Sequence, residues 1–376
     1  MRQIRILHCN NDNKNMGGAY LVTRKLEPYV RDLGYVFDYI TMDEFVINGD
    51  KDTDPMNGSR TFSAKLRGNK VLGHIELPFY VKKVLKQNPY EIVHIDIDSA
   101  WKALLYAIPA KMSGAKVLVH SHATGIDGEH KSIKGRLHYI CKNVLAHYTD
   151  KYIGCSSGAM HWLCPKNQMD KAELVVNGID NKEFFFNQEI REKCRRELGL
   201  ENKFVLCNVG RINDNKNQIF LVDVLKEMKE LLSETVLLLV GPYTEEDLNK
   251  LKEKIKTNQM EASVIVVGAT NDVNKYLNAS DYFVLPSHFE GFSLASIEAQ
   301  STGLRCLLST GTPPEAKITD LADRSDLKLG AEEWANLIIK HCSKPYERDT
   351  VHLSSEYTME GMAKHLTQIY DALIGG

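Results

Sequence analysis

Short apolar runs alternate along this chain with stretches in which apolar residues recur at three- and four-residue steps. The first run, "IRILHC" (Ile4–Cys9), predicts a strand. A polar loop follows, and then Ala19, Val22, Leu26, Val30 and Leu33 mark one face of a helix. Gly34 is its expected stop, and Pro28 predicts a kink or an early end. Tyr35–Ile40 predicts the next strand and completes a βαβ opening. "YEIVHID" and "AKVLVHSHA" repeat the strand pattern. The second half restarts the scheme with apolar runs at Lys203–Gly210, Thr235–Gly241, Ser263–Gly268, Asp281–Ser287 and Arg305–Ser309. Leu221, Leu225, Met228 and Leu232 share one helical face, and Met362, Leu366, Ile369 and Leu373 predict a final amphipathic helix. Continuous apolar strands separated by helices predict parallel sheets covered on both faces. The fold class expected is therefore α/β, with two doubly wound Rossmann-like domains. Residues 1–185 form the first and 186–353 the second, the junction following "VVNGID" (Val175–Asp180).

A length of 376 residues suits two domains better than one core. No run of 18 apolar residues occurs, so no membrane span is expected. The opening "MRQIRILHCN" lacks the apolar stretch of a signal peptide, and the eight cysteines form no CxxC pair. Reduced thiols and a cytoplasmic location are the expectation. Charge is uneven. Residues 1–180 carry 24 Lys and Arg against 19 Asp and Glu, and the remainder 23 against 30. The balance is +5 in the first half and -7 in the second, which predicts different tasks for the two.

Doubly wound sheets bind ligands beyond the carboxyl ends of their strands, and two such domains suggest a site in the cleft between them. Three loops there carry candidate chemistry. Gly17 and Gly18 open the first helix, where free N–H groups suit an anion; a plain tight turn is the alternative. Arg211 and Lys216 flank the loop after Lys203–Gly210, a pair of cations suited to a diphosphate or simply a solvated loop. "SHFEGFSLASIEAQ" (Ser287–Gln300) places Glu290 before a turn and Glu298 inside a helix that Ser293 would cap and Thr302-Gly303 would end. Carboxylates accept hydrogen bonds from vicinal hydroxyls, and the amides of Gly291, Phe292, Ser293 and Leu294 would face an anion between them. A capping glutamate and a surface glutamate are the plainer alternative.

"FEGFSLASIEAQSTG" resembles the E-x7-E signature of glycosyltransferase family 4, the retaining transferases of GT-B fold. "MGGAYLVTRKL", "VLVHSHA", "VVNGID", "VGRINDNK" and "NASDYFVLPSHFEG" resemble that family's other motifs, in its order. The likeness runs from about Ile4 to Glu315, and the last helix, about 354–376, matches the family's habit of returning to the first domain. The resemblance implies a hexosyltransferase using a nucleotide diphosphate sugar, with a UDP-sugar expected. The acceptor would be a glycan or lipid-linked glycan in bacterial capsule or exopolysaccharide synthesis. It implies that Glu290 holds donor hydroxyls and Glu298 the ribose. Arg211 and Lys216 would neutralise the diphosphate with the amides of Gly17 and Gly18. His122 would serve the acceptor-side domain in preference to His120, and Val267–Thr270, including Gly268 and Thr270, would lie by the base. The catalytic set is then Glu290, His122, Arg211 and Lys216. Departures are Tyr20 after the glycine pair, "SLASIE" after Phe292, and the loosely matching "GTPPEA".

No cofactor or metal is expected. Asp96 and Asp98 have the DxD spacing that holds divalent cations in another transferase fold, but a rim or acceptor-contacting role is the reading here. The histidines show no HExxH spacing, and neither a GxxxxGK[ST] loop nor a GxGxxG motif appears. No nucleic-acid partner is expected. Arg60, Lys65, Arg67, Lys70, Lys82, Lys83 and Lys86, interleaved with Leu77, Phe79, Val81, Val84 and Leu85, suggest contact with an anionic membrane surface. Lys131, Lys134 and Arg136 add to it, and a solvated basic face is the alternative. Rival functions are a sugar-nucleotide epimerase or phosphorylase of the same fold, and a non-catalytic two-lobed sugar-binding protein.

Overall fold

The computed structural model describes residues 3–9, 18–41, 46–47, 50–51, 53–54, 58–64, 70–125, 133–344, 346–349 and 351–375. The chain divides into two compact units, Met1–Gly178 with Ser355–Gly376, and Ile179–Ser354.

In the first unit the strands are β1 (Ile4–Cys9), β2 (Tyr35–Thr41), β3 (Val46–Ile47), β4 (Asp50–Lys51), β5 (Thr53–Asp54), β6 (Ser59–Ser63), β7 (Ile92–Ile97), β8 (Lys116–Ser121), β9 (Lys151–Gly154) and β10 (Ala172–Leu174). Eight form one sheet in the order β10-β9-β8-β7-β1-β2-β6-β5. All its pairings are parallel except that of β5 with β6. The chain starts mid-sheet at β1, winds outward to β6, then returns to lay β7 beside β1. That reversal is a topological switch point. The helices are α1 (Gly18–Asp32), α2 (Lys70–Gln87), α3 (Ala100–Met112), α4 (Ile133–Leu145), α5 (Ser157–Leu163) and the C-terminal helix Met359–Gly375. Strand residues such as Leu7, Val93, Ile95 and Val117 pack with Leu77, Val81, Ala103 and Ala107 from α2 and α3. The helix α1 runs through Pro28 to Asp32 without the expected early end. Pro28 is exposed, so water can serve the carbonyl that its missing N–H leaves unbonded.

One buried charge braces this unit. Asp38 accepts from Arg5 Nε at 2.7 Å, Arg60 Nη2 at 2.8 Å, the Tyr90 hydroxyl at 2.7 Å and the Arg60 backbone N–H at 2.7 Å. Burial would raise its pKa, but the donors from Arg5, Arg60 and Tyr90 hold it below the usual carboxylate value. Arg60 is therefore committed to structure and is not a free member of the basic stretch.

The second unit holds β11 (Phe204–Val209), β12 (Thr235–Val240), β13 (Val264–Gly268), β14 (Tyr282–Leu285), β15 (Arg305–Ser309) and β16 (Ala322–Ser325). They form one parallel sheet in the order β13-β12-β11-β14-β15-β16, with the switch point between β11 and β14. The helices are α6 (Gln188–Leu198), α7 (Gln218–Leu231), α8 (Glu245–Thr257), α9 (Val273–Ala279), α10 (Leu294–Ser301) and α11 (Gly330–Cys342). Leu206, Leu237, Val284 and Leu307 from the sheet pack with Leu221, Leu225, Met228 and Trp334 from the helices. Leu232, expected on the buried face of α7, lies just past its end and is exposed. Among the described residues, no helix is long and apolar enough to cross a membrane.

Candidate active site

In the second unit the loops leaving β11 and β14 meet at the switch point. Asn215, on the first, grips the second like a strand neighbour. Its side chain donates to the Phe289 carbonyl at 3.0 Å and accepts from the Phe289 N–H at 3.2 Å. Its own carbonyl accepts from the His288 N–H at 2.8 Å. Below them, Gln218 donates to Asn208 Oδ1 and to the Arg211 carbonyl, both at 3.1 Å, while Asn208 donates to the Val284 carbonyl at 2.7 Å. These buried amides tie β11, its loop and β14 into one rigid platform.

Lys216 and Glu290 stand on that platform. Lys216 Nζ is 2.5 Å from Glu290 Oε1, and both side chains are largely but not fully buried. The Lys216 N–H is held by Asn213 Oδ1 at 2.9 Å, and the Glu290 N–H donates to the Gly311 carbonyl at 3.0 Å. Gly311 has no room for a side chain, since a Cβ there would lie 2.1 Å from the His288 carbonyl oxygen. The Lys216 stem crosses the Gly210 backbone. Close approach recurs along this edge: a Cβ on Gly241 would lie 2.2 Å from the Gly210 carbonyl oxygen, and the Gly241 N–H donates to Gly268. Arg211 is exposed at the start of the loop.

Ser293 occupies the N-cap position of α10 as expected, but it does not cap. Its backbone is left-handed (φ 76°), and its buried hydroxyl has no partner. A strained non-glycine residue with an orphaned hydroxyl beside Gly291 and the buried Phe292 marks a constrained turn. Glu298 lies half-buried on α10, and Leu294 opens that helix. The helix ends as expected at Thr302, followed by left-handed Gly303. Gly268 closes β13, and Thr270 Oγ1 accepts from the Asp272 N–H at 3.0 Å.

In the first unit Gly18 is the first residue of α1, and Gly17 lies outside the described residues. His122 follows β8 at the carboxyl edge. Its Nε2 is 3.0 Å from Asp96 Oδ1, and His8 Nδ1 is 2.8 Å from Asp96 Oδ2. His94 Nε2 lies 3.2 Å from His120 Nδ1, and His94 Nδ1 is 2.7 Å from the Tyr370 hydroxyl, itself 3.5 Å from His8 Nε2. Burial, then nearby His8, hold the His94 pKa well below the usual histidine value. Burial and neighbouring His122 bring His120 down to about 4. Burial would raise Asp96, yet His94 and His8, with bonds from His120 and His122, hold it well below the carboxylate range. Around ionised Asp96 these contacts form one hydrogen-bonded circuit. His8 and His122 stand against its two oxygens, and His94 bridges His120 and the Tyr370 hydroxyl. The His122 Nδ1 atom is buried without a partner.

Asp96 and Asp98 do not converge. Asp98 faces Lys102 at 3.0 Å, while Asp96 faces the histidines. The groups His8/His94/Asp96 and Asp96/His120/His122 have metal-site spacing, but the hydrogen-bond circuit already uses the facing atoms. Sequence reasoning missed this cluster. Its visible signals were the alternating polar positions in "HID" and "HSH", but the register that sets His8 beside His94 and Asp96 beside His120 is a property of the sheet. It also missed Asn208, Asn215 and Gln218, of which Asn208 inside "VLCNVG" was the detectable one.

Residues 190–350, which lie within the second unit, match the family model of Glycosyl transferases group 1. One relative, the Escherichia coli UDP-Gal:alpha-D-GlcNAc-diphosphoundecaprenol alpha-1,3-galactosyltransferase, is 33% identical over 239 residues. That alignment covers 60% of this chain, and the chain spans 59% of the relative's length. The capsular polysaccharide biosynthesis glycosyltransferase CapH of Staphylococcus aureus is 23% identical over 78% of this chain and 80% of its own. Among solved structures, sucrose-phosphate synthase from Thermosynechococcus elongatus superposes with a TM-score of 0.83. It is 17% identical, over 99% of this chain and 100% of that one. This likeness shows the fold, which is the expected pair of Rossmann-like domains of the GT-B glycosyltransferases. The relatives are enzymes named for glycosyl transfer.

Proposed function

We propose that this chain is a retaining glycosyltransferase of family 4. It transfers a sugar from a UDP-sugar to a lipid-linked glycan acceptor in cell-surface polysaccharide synthesis, without a metal. The observation that carries the reading is the Lys216–Glu290 pair at the switch point of the Glycosyl transferases group 1 domain. The 33% identical relative, whose name specifies UDP-Gal and a diphosphoundecaprenol-linked acceptor, supports the donor and acceptor classes.

The pair suits a site that exchanges partners. In the resting protein Lys216 and Glu290 neutralise each other. An arriving diphosphate competes for Lys216, with Arg211 as the second cation, and frees Glu290 to accept bonds from the donor hydroxyls. As the bond between the sugar C1 and the leaving phosphate oxygen breaks, negative charge grows on the diphosphate. Cations already held on a rigid platform stabilise that charge without reorganising. The acceptor hydroxyl attacks C1 from the same face and gives its proton to the departing phosphate oxygen, so no enzymic nucleophile is required. Glu298 holds the ribose, Gly291–Leu294 cradle the phosphates, Gly268 and Thr270 border the base, and Gly18 and His122 belong to the acceptor-side unit.

The test is UDP release by the purified protein from UDP-galactose, UDP-glucose and UDP-N-acetylglucosamine. Each is assayed with and without an undecaprenyl-diphosphate-linked sugar. Acceptor-dependent release with one donor, retaining the anomeric configuration in the product, is expected. An inverted product, or epimerised nucleotide sugar without transfer, would overturn the reading.

A further inference from the structure

We propose that Tyr243, given the reading of the second unit as a nucleotide-sugar site, is the platform on which the donor's base stacks.

The chain after β12 reads "GPYTEED" (Gly241–Asp247). Thr244 caps α8, its hydroxyl accepting from the Asp247 N–H at 3.1 Å. Tyr243 therefore stands between the strand end and the cap, at the carboxyl edge of the sheet. Most tyrosines of a sheet are core residues, as Tyr282 of β14 is, but Tyr243 is 39% exposed. An aromatic ring held open to solvent at a strand end offers its face to a flat ligand.

Two neighbours fix where that face lies. The Pro242 carbonyl accepts from the Ile212 N–H at 2.9 Å, which ties Tyr243 to the loop that carries Arg211. On the other side, a Cβ built on Gly268 would lie 3.7 Å from Tyr243 Cε1 and 4.0 Å from its hydroxyl oxygen. Among the described residues, nothing else beyond the adjoining chain comes within 4 Å of that point. The tyrosine ring is thus one wall of an otherwise open space at left-handed Gly268. Gly268 closes β13, and the order β13-β12-β11 sets it two strand spacings from β11. That is about 10 Å, comparable to the reach of a nucleoside diphosphate from its phosphates to its base.

Charge decides which end of the nucleotide belongs here. Glu245, Glu246 and Asp247 fill the first turn of α8, directly after Tyr243 and Thr244. They answer the positive end of that helix and repel a phosphate. The cations Arg211 and Lys216 lie on the β11 loop instead. A neutral, planar base suits the tyrosine ring, and the diphosphate suits the β11 loop.

Calorimetric titration of the full chain with UDP and with inorganic pyrophosphate tests this. Tyr243→Ala should raise the UDP dissociation constant about 5- to 150-fold, the loss of one base–aromatic stack. Pyrophosphate binding should stay as in the parent, and so should the melting temperature. Tyr243→Phe keeps the ring and should restore most of the UDP affinity. Arg211→Ala should weaken both ligands. Unchanged UDP affinity in Tyr243→Ala, equally weak binding by the Ala and Phe variants, or equal loss of UDP and pyrophosphate would each overturn the inference while the UDP reading stands. A parent that binds ADP or GDP instead of UDP, with that affinity lost in Tyr243→Ala, would uphold the inference and overturn the donor assignment. A parent that binds no nucleotide would overturn both.

Discussion

The Lys216 ammonium sits 2.5 Å from the Glu290 carboxylate across the loops that leave β11 and β14. Losing either partner has different consequences if the two serve different parts of one donor. Lys216→Ala should weaken UDP binding roughly 10- to 150-fold, the loss of one charge-assisted bond worth about 1.5–3 kcal/mol. Glu290→Ala should leave UDP binding within a few-fold of the parent and abolish sugar transfer. Calorimetric titration with UDP beside a transfer assay separates them. Equal loss of both properties in Glu290→Ala would mean that its carboxylate is structural.

The glycines along the carboxyl edge are required for space, and Gly199 is required only for conformation. Gly311→Ala and Gly241→Ala each drive a Cβ to 2.1 and 2.2 Å from a backbone oxygen. The backbone must move, and destabilisation of about 1–3 kcal/mol or more is expected. Gly199, left-handed at the end of α6, has nothing within 4 Å of such a Cβ. Gly199→Ala should cost only the left-handed strain, about 1 kcal/mol. Urea denaturation of the three variants checks the order; a Gly199 variant less stable than the other two would contradict it.

Much of this was legible in the sequence because a buried parallel sheet writes itself as apolar runs. The strands around Cys207, Leu238 and Phe283 were found from that alone, and Lys216 and Glu290 were placed at strand ends. What was hidden depends on lateral register or on side-chain partners distant along the chain. Arg60 read as a surface cation because Asp38, its partner, lies 22 residues away. Ser293 has the residue type of a cap but not the backbone conformation. His8, His94, Asp96 and His120 are ordinary alternating strand residues until three strands lie side by side.

His94 and His120 predict acid sensitivity. Unfolded, each binds a proton near pH 6.5. In the native state His120 resists protonation down to about 4, and His94 is held low in the same direction. The unfolded chain thus binds more protons between these values, so stability rises with pH there. It is fully present above about 6.5 and is lost as pH falls towards 4, by up to about 1.4 kcal/mol per pH unit for each histidine. Asp96, also depressed, adds a further loss below its unfolded value. Melting temperatures from pH 8 to 4 should be flat at the top and fall below 6.5. His120→Gln should show a shallower fall, and no fall in the parent would contradict the burial of neutral His94 and His120.

Metal removal should change nothing. The Asp96 circuit is closed by hydrogen bonds, and Asp98 is turned to Lys102. Elemental analysis should find no stoichiometric metal in the purified protein, and EDTA should leave transfer intact. Loss of activity that Mg²⁺ or Mn²⁺ restores would contradict this.

The central claim is that the second unit holds a nucleotide diphosphate at the switch point between β11 and β14. Thermal-shift measurement with UDP, GDP, ADP and CMP tests it most directly. A ligand at a hundred times its dissociation constant stabilises the native state by about 2.7 kcal/mol. The account predicts a shift with UDP that Arg211→Ala abolishes, and little with the others. No shift with any nucleotide, or a UDP shift that Arg211→Ala leaves unchanged, would contradict it.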